Sequence, residues 1–202
     1  MATIYDLKPA FQNLLRPACR FCARNGITAN AVTLAGVALS VAGGAAVAFN
    51  SHSKWPLLLM PAILFVRMAL NAIDGMLAKE HDMKTRLGAV LNELGDVIAD
   101  TALYLPLALV DGIPAWPLVI VTLLAIISEM TGVIGIQIGA SRRYDGPMGK
   151  SDRAFVFGAL ALALGLGLPA GDWVEYLLWA VSALLVLTIF NRARRALLEN
   201  DE

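Results

Sequence analysis

Six apolar stretches, near residues 30–50, 55–79, 87–110, 116–140, 153–169 and 173–191, constrain this chain more than any other feature. Each is long enough, or nearly so, to cross roughly 30 Å of hydrocarbon at about 1.5 Å of rise per residue, the fifth being the shortest. The joining segments at 51–54, 80–86, 111–115 and 170–172 are short, so consecutive helices should run antiparallel as neighbours in a compact bundle. With 58% of residues hydrophobic and only 16% charged, an ordinary soluble domain is excluded. The expected fold is an all-α polytopic membrane protein with six transmembrane helices. It fills residues 1–202 as one domain and leaves no room for a separate soluble one.

Ahead of the first span, residues 3–24 read as an amphipathic interfacial helix. Ile4, Leu7, Phe11, Leu14, Leu15, Ala18 and Cys22 recur at helical spacing, and Lys8, Arg16, Arg20 and Arg24 supply a basic face suited to anionic lipid headgroups. Pro17 should bend or interrupt it. No cleavable signal peptide is expected, because the first 25 residues lack a continuous apolar core. Cys19 and Cys22 have CxxC spacing, but without a second such pair or a nearby His they read as small apolar residues of this helix.

Net charge is zero, yet the distribution is lopsided: all but two of the 16 lysines and arginines, Lys54 and Arg67, fall on one side of the six-span arrangement. The positive-inside rule then places both termini and the loops at 80–86 and 141–153 in the cytoplasm of a bacterial inner membrane, while Trp55, Trp116 and Trp173 form a belt at the opposite interface. No nucleic-acid partner is expected.

One stretch breaks the apolar pattern. Asn71, Asp74, Asn92, Glu93, Asp96 and Asp100 lie in or beside the second and third spans, where each central charge costs roughly 2.5–3.5 kcal/mol on insertion scales. Counting about 1.5 Å per residue, Asp74 lies roughly 7 Å in from Lys79 and Asn71 roughly 12 Å, with Asn92 and Asp96 roughly 9 and 15 Å in from Arg86. Asn71 and Asp74 share a helix face, as do Asn92 and Asp96, so these oxygen-bearing groups should converge at similar depth in a cavity open to the cytoplasm. Oxygen donors without His or Cys suit a hard cation, Mg²⁺, Mn²⁺ or Ca²⁺, that also neutralises ligand phosphates. Gly75 and Gly88 remove side chains beside these positions, which admits a diphosphate close to the backbone but equally suits ordinary helix contacts.

The pattern Asn71-x2-Asp74-Gly75-x2-Ala78-Lys79-x8-Gly88-x3-Asn92-x3-Asp96 resembles the signature of the CDP-alcohol phosphotransferases, D-x2-D-G-x2-A-R-x8-G-x3-D-x3-D, at every spacing. Asn71, Asn92 and Lys79 depart from it in residue type. Six spans behind an interfacial helix are similar to that family too. The resemblance implies one or two Mg²⁺ or Mn²⁺ ions held by Asn71, Asp74, Asn92 and Asp96, with Glu93 restoring one charge, and Asp96 as the base that deprotonates the acceptor. It implies a nucleotide seat at Asp74, Gly75, Ala78, Lys79 and Gly88, a homodimer, and transfer of a phosphatidyl group from CDP-diacylglycerol or another CDP-alcohol to a small hydroxylated acceptor, releasing CMP.

Two further segments bear on this reading. Thr28-Ala29-Asn30-Ala31-Val32-Thr33 is similar to the family's P-N-x-x-T opening of the first span, which would put Asn30 and Thr33 near the nucleotide; Thr28 or Asn30 is as readily a helix N-cap. Gly149-Lys150-Ser151 resembles a G-K segment of glycerophosphate-using relatives. Lys150 and Arg153, with Arg143, would then grip a phosphate, making a phosphorylated polyol the preferred acceptor. Deeper in, Arg67 is expected to pair with Asp100, with Glu129 as its alternative partner. Two rivals stand beside the enzyme: a degenerate family member that binds CDP-lipid or nucleotide without turnover, and a small ion-coupled transporter. The clustering of the acidic groups toward one end argues against transport, which needs access from both sides.

Overall fold

The computed structural model describes residues 4–199, with side chains from Pro9 onward; residues 1–3 and 200–202, which the single-domain reading includes, lie outside the described residues, as do the side chains of Ile4, Leu7 and Lys8. The order of elements is α1 (Ile4–Arg24), α2 (Ala29–Phe49), α3 (Lys54–Glu80), α4 (Arg86–Tyr104), a 3-10 turn (Leu105–Leu109), α5 (Ala115–Gln137), α6 (Lys150–Gly165) and α7 (Asp172–Glu199). No strand occurs among the described residues.

Four of these helices, α2, α3, α5 and α7, are long and apolar enough to cross a membrane. The other two segments expected to span differ for identifiable reasons. Helix α4 carries Arg86, Glu93, Asp96 and Asp100, and it ends at Tyr104 because Pro106 has no N–H to continue the ladder. Helix α6 has 16 residues. Helix α1 runs unbroken through Pro9 and Pro17. It is not a free surface helix: Cys19 is buried with Ile73, Met76 and Leu77 of α3, and Arg16 Nη1 lies 2.6 Å from Glu80 Oε2. Burial pushes the Cys19 thiol up, helped by Glu80 and Cys22, which keeps it an inert packing residue.

Helix α2 is wedged between α3 and α4. Small residues make that possible: Gly36, Ser40, Gly43 and Gly44 are buried along it. Gly44 is the tightest of them, since a Cβ there would fall 1.8 Å from the Ala102 carbonyl oxygen. That carbonyl is the one whose helical donor Pro106 removes, so the same proline that ends α4 leaves an oxygen for α2 to close over. Away from the polar stretch, α3 packs on α6 and α5 on α7 around a core of Leu57, Met60, Leu103, Leu107, Leu118, Phe157 and Leu178. Tyr104 stacks on Phe157 with ring centroids 4.2 Å apart. Trp55, Trp116 and Trp173 all sit in first turns, of α3, α5 and α7, at the bundle end away from the polar stretch.

Candidate active site

The C-terminal half of α3 and the N-terminal half of α4 run antiparallel beside α2, and their polar residues meet there. Asp74 is buried, and its Oδ2 accepts the Thr33 hydroxyl of α2 at 2.7 Å. Next to it, a Cβ on Gly75 would meet nothing within 4 Å, so the backbone at this point faces open space. Gly88 is different. A side chain there would strike Asn30 Oδ1 at 2.6 Å and Thr85 Oγ1 at 2.9 Å. The missing side chain lets Asn30 reach Thr85, which caps α4 by accepting from Gly88 N at 2.8 Å. Thr28, not Asn30, caps α2, accepting from Ala31 N at 3.2 Å. Ala78 is half-buried one turn beyond Asp74, and Lys79 is exposed.

Asp96 receives donors from two other elements. Asn71 Nδ2 lies 3.3 Å from its Oδ1, and the Lys150 ammonium at the start of α6 bonds to the same oxygen. Lys150 is brought there by a tightly held loop. Gly146 has φ +120° and passes so close to α7 that a Cβ would fall 2.6 Å from Thr188 Cα. Two residues on, Met148 N donates to Thr188 Oγ1 at 3.0 Å, and Asp152 accepts from Gly149 N at 2.9 Å to start the helix.

A second set of charges lies one turn deeper along α4. Arg67 Nη1 is 2.5 Å from Asp100 Oδ1, as the sequence suggested, and its Nη2 donates to the Asp96 carbonyl at 3.2 Å. Glu129 is not the partner of Arg67: it pairs with Arg153 at 2.9 Å, Arg142 at 3.1 Å and Arg192 at 3.4 Å. Arg153, 1% exposed, bridges Asp100 Oδ2 at 2.7 Å and Glu129, while only its neighbour Lys150 reaches the shallower cluster. Glu93 is also engaged, held by Arg142 through two bonds of 2.6 and 2.7 Å. Burial disfavours charge on Arg142, but the Glu93 pair more than offsets it and the guanidinium is held more firmly protonated than usual. Arg143 pairs with Asp145 at 2.9 Å and with Glu199. Arg192 and Arg142 were not singled out from sequence; the signal was an arginine in the apolar run of α7 facing an intramembrane acid, Glu129.

The family model for CDP-alcohol phosphatidyltransferases matches residues 26–191, which include every one of these positions except Arg192 and Glu199. The chain belongs to the CDP-alcohol phosphatidyltransferase family. The chain is 43% identical to the inner membrane protein YnbA of Escherichia coli K12 over 99% of both chains. With phosphatidylinositol phosphate synthase of Mycobacterium tuberculosis H37Rv it shares 30% identity, over 81% of this chain and 82% of that one. A crystal structure of the M. tuberculosis synthase with CDP-DAG bound superposes with a TM-score of 0.75 at 21% identity, covering 91% of this chain and 94% of that one. A second, in complex with manganese and citrate, also gives 0.75 at 22% identity over 90% and 88% of the two chains. With four apolar helices and these relatives, the chain is an integral membrane protein.

The family is divalent-metal dependent. Among the described residues no three His, Cys, Asp or Glu side chains are grouped to hold a metal ion. The donors at hand are the Asp74 and Asp96 carboxylates and the amide of Asn71, which bonds to Asp96, with Asn92 half-buried one turn before Asp96 on α4. Mg²⁺ and similar ions commonly take one or two carboxylates and complete their shell with water and substrate phosphates, so this donor set fits a hard cation that the ligand helps to hold.

Proposed function

We propose that the protein is a phospholipid-synthesis enzyme of the bacterial inner membrane that transfers a phosphatidyl group from CDP-diacylglycerol, or a related CDP-alcohol, to a small hydroxylated acceptor and releases CMP. The observation that carries this reading is the junction of α2, α3, α4 and α6, where Asp74 is held by Thr33 next to the open backbone of Gly75 and Asp96 is held by Asn71 and Lys150. In this reading the chain is a single domain. Helix α4 with its 3-10 extension, and α6, complete six spans, α1 lies in the cytoplasmic headgroup layer, both termini and the site face the cytoplasm, and two copies form a homodimer. The lopsided basic residues support that orientation.

The diphosphate of the donor lies against Gly75 and Ala78, with Lys79 at the mouth, and the cytidine lies toward Asn30 and Thr33, since the space at Gly88 is taken by Asn30. A bound Mg²⁺ or Mn²⁺ would neutralise phosphate charge and hold the phosphorus for in-line attack. Asp74, oriented by Thr33, and the Asn71 and Asn92 amides would be its ligands. Asp96 takes the proton from the acceptor hydroxyl as its oxygen bonds to phosphorus and the bond to CMP breaks. Lys150 supplies positive charge where the donor diphosphate and a phosphate on the acceptor meet, which makes a phosphorylated polyol the preferred substrate. Arg143 stands at the loop margin, and Arg153 and Glu93, both spent on ion pairs, act by holding α6 and the loop in place.

Incubating purified protein with CDP-diacylglycerol, Mn²⁺ and a panel of acceptors tests this. CMP release with phosphorylated polyols is expected. Turnover of free inositol or serine alone would refute the acceptor assignment. The asparagines at positions 71 and 92 favour one other reading, a member that binds CDP-lipid without turning it over; binding with no CMP release for any acceptor would establish it.

A further inference from the structure

The charges around the two site carboxylates are not symmetric. Asp74 Oδ2 is met by a neutral hydroxyl from Thr33, beside open space at Gly75. Asp96 Oδ1 is met by nitrogen donors only: the Lys150 ammonium, Asn71 Nδ2 at 3.3 Å and, further off, Arg67 Nη2 at 3.9 Å. A carboxylate oxygen ringed by cationic and N–H groups is a poor place for a divalent ion, which those groups repel. The nearest other acid on α4, Glu93, is held by Arg142, and Asn71 and Asn92 carry no charge to make up the deficit.

Lys150 is also built in place rather than trailing from a surface. It opens α6 on the Gly149–Asp152 cap, it follows a loop bonded to Thr188, and three residues on Arg153 is locked between Asp100 and Glu129. An ammonium has three N–H donors, and one spent on Asp96 leaves two for phosphate oxygens.

Building on the phosphatidyltransferase reading, we propose that this protein takes a single divalent cation, at Asp74, and that the Lys150 ammonium stands in for a second one at Asp96, bridging that carboxylate to a ligand phosphate. The asparagines at 71 and 92 then belong to the same arrangement: with a tethered monovalent cation replacing a divalent ion, fewer carboxylates are needed to balance it.

Mn²⁺ bound per chain, measured by electron paramagnetic resonance on the purified full-length protein with CDP as the soluble diphosphate probe, tests this. One Mn²⁺ per wild-type chain is expected. Asp74→Asn should lose it and Asp96→Asn should keep it. Lys150→Met should keep one Mn²⁺ but weaken CDP binding by about tenfold, the scale of one lost charge-assisted contact. Two Mn²⁺ per wild-type chain, none at all, or loss of Mn²⁺ in a folded Asp96→Asn protein would overturn the proposal. CMP release is scored separately: one bound Mn²⁺ without turnover counts against the enzymatic reading and for this one, and turnover with two bound Mn²⁺ does the reverse.

Discussion

Asp96 and Asp100 sit one turn apart on the same helix, yet they belong to different kinds of environment. Asp100 and its neighbour Glu129 are enclosed by Arg67, Arg153, Arg142 and Arg192, so every acidic charge at that level has a guanidinium against it. Asp74 and Asp96 are met by a hydroxyl, an amide and one lysine, beside backbone that faces open space. Rigid, forked guanidiniums suit permanent pairing, whereas a flexible ammonium and a neutral hydroxyl can be shared with an incoming phosphate. Charge among these helices is therefore of two sorts, one that fastens helices and one that, in the proposed function, is held ready for a ligand.

The sharpest break of that contrast is at Asp74. Asp74→Asn removes the carboxylate with the least protein compensation, and CMP release should fall by about two to four orders of magnitude, as for loss of a group acting directly on the reaction, with melting nearly unchanged. On the other side, Arg153→Ala takes one guanidinium from both Asp100, which keeps Arg67, and Glu129, which keeps Arg142 and Arg192, and should cost at most about 3–5 kcal/mol of stability. Thermal unfolding in detergent would register it. A smaller effect is expected from Thr33→Val, which leaves Asp74 without its hydroxyl donor at a cost of about 1–3 kcal/mol; it should appear in CDP affinity more than in melting. Least of all, Arg16→Ala breaks an exposed pair with Glu80, worth less than about 1 kcal/mol. A large loss there would mean that α1 contributes to the site and not only to the outside of α3.

The helices were legible because apolar periodicity and short loops record packing directly; all seven begin close to their expected starts, while α4 ends at Tyr104 instead of 110, α6 at Gly165 instead of 169, and α7 runs on to Glu199 instead of 191. What the periodicity hid was the break at Tyr104, although Pro106 was visible, because an apolar run continues across it. Spacing put Asn71 with Asp74 on one face of α3 and Asn92 with Asp96 on one face of α4, since residues three or four apart share a face whatever surrounds them, and Asn71 does meet Asp96 across the two helices. The partners of Arg153 and Glu129 were not readable, because they depend on how α5, α6 and α7 are rotated about their axes, and mostly apolar helices carry little sequence signal for that rotation. Gly88 shows the same limit: the sequence suggested room for a ligand, and Asn30 of α2 fills it.

A paired comparison of Asp96→Asn and Asp100→Asn tests the division of charge most directly, with CMP release and thermal unfolding measured on each. Asp96→Asn should melt like the wild type and release no CMP, while Asp100→Asn should unfold at markedly lower temperature yet keep turnover in the molecules that remain folded. A stable but inactive Asp100→Asn, or an active Asp96→Asn, would contradict the assignment of chemistry to the shallow cluster and fastening to the deep one.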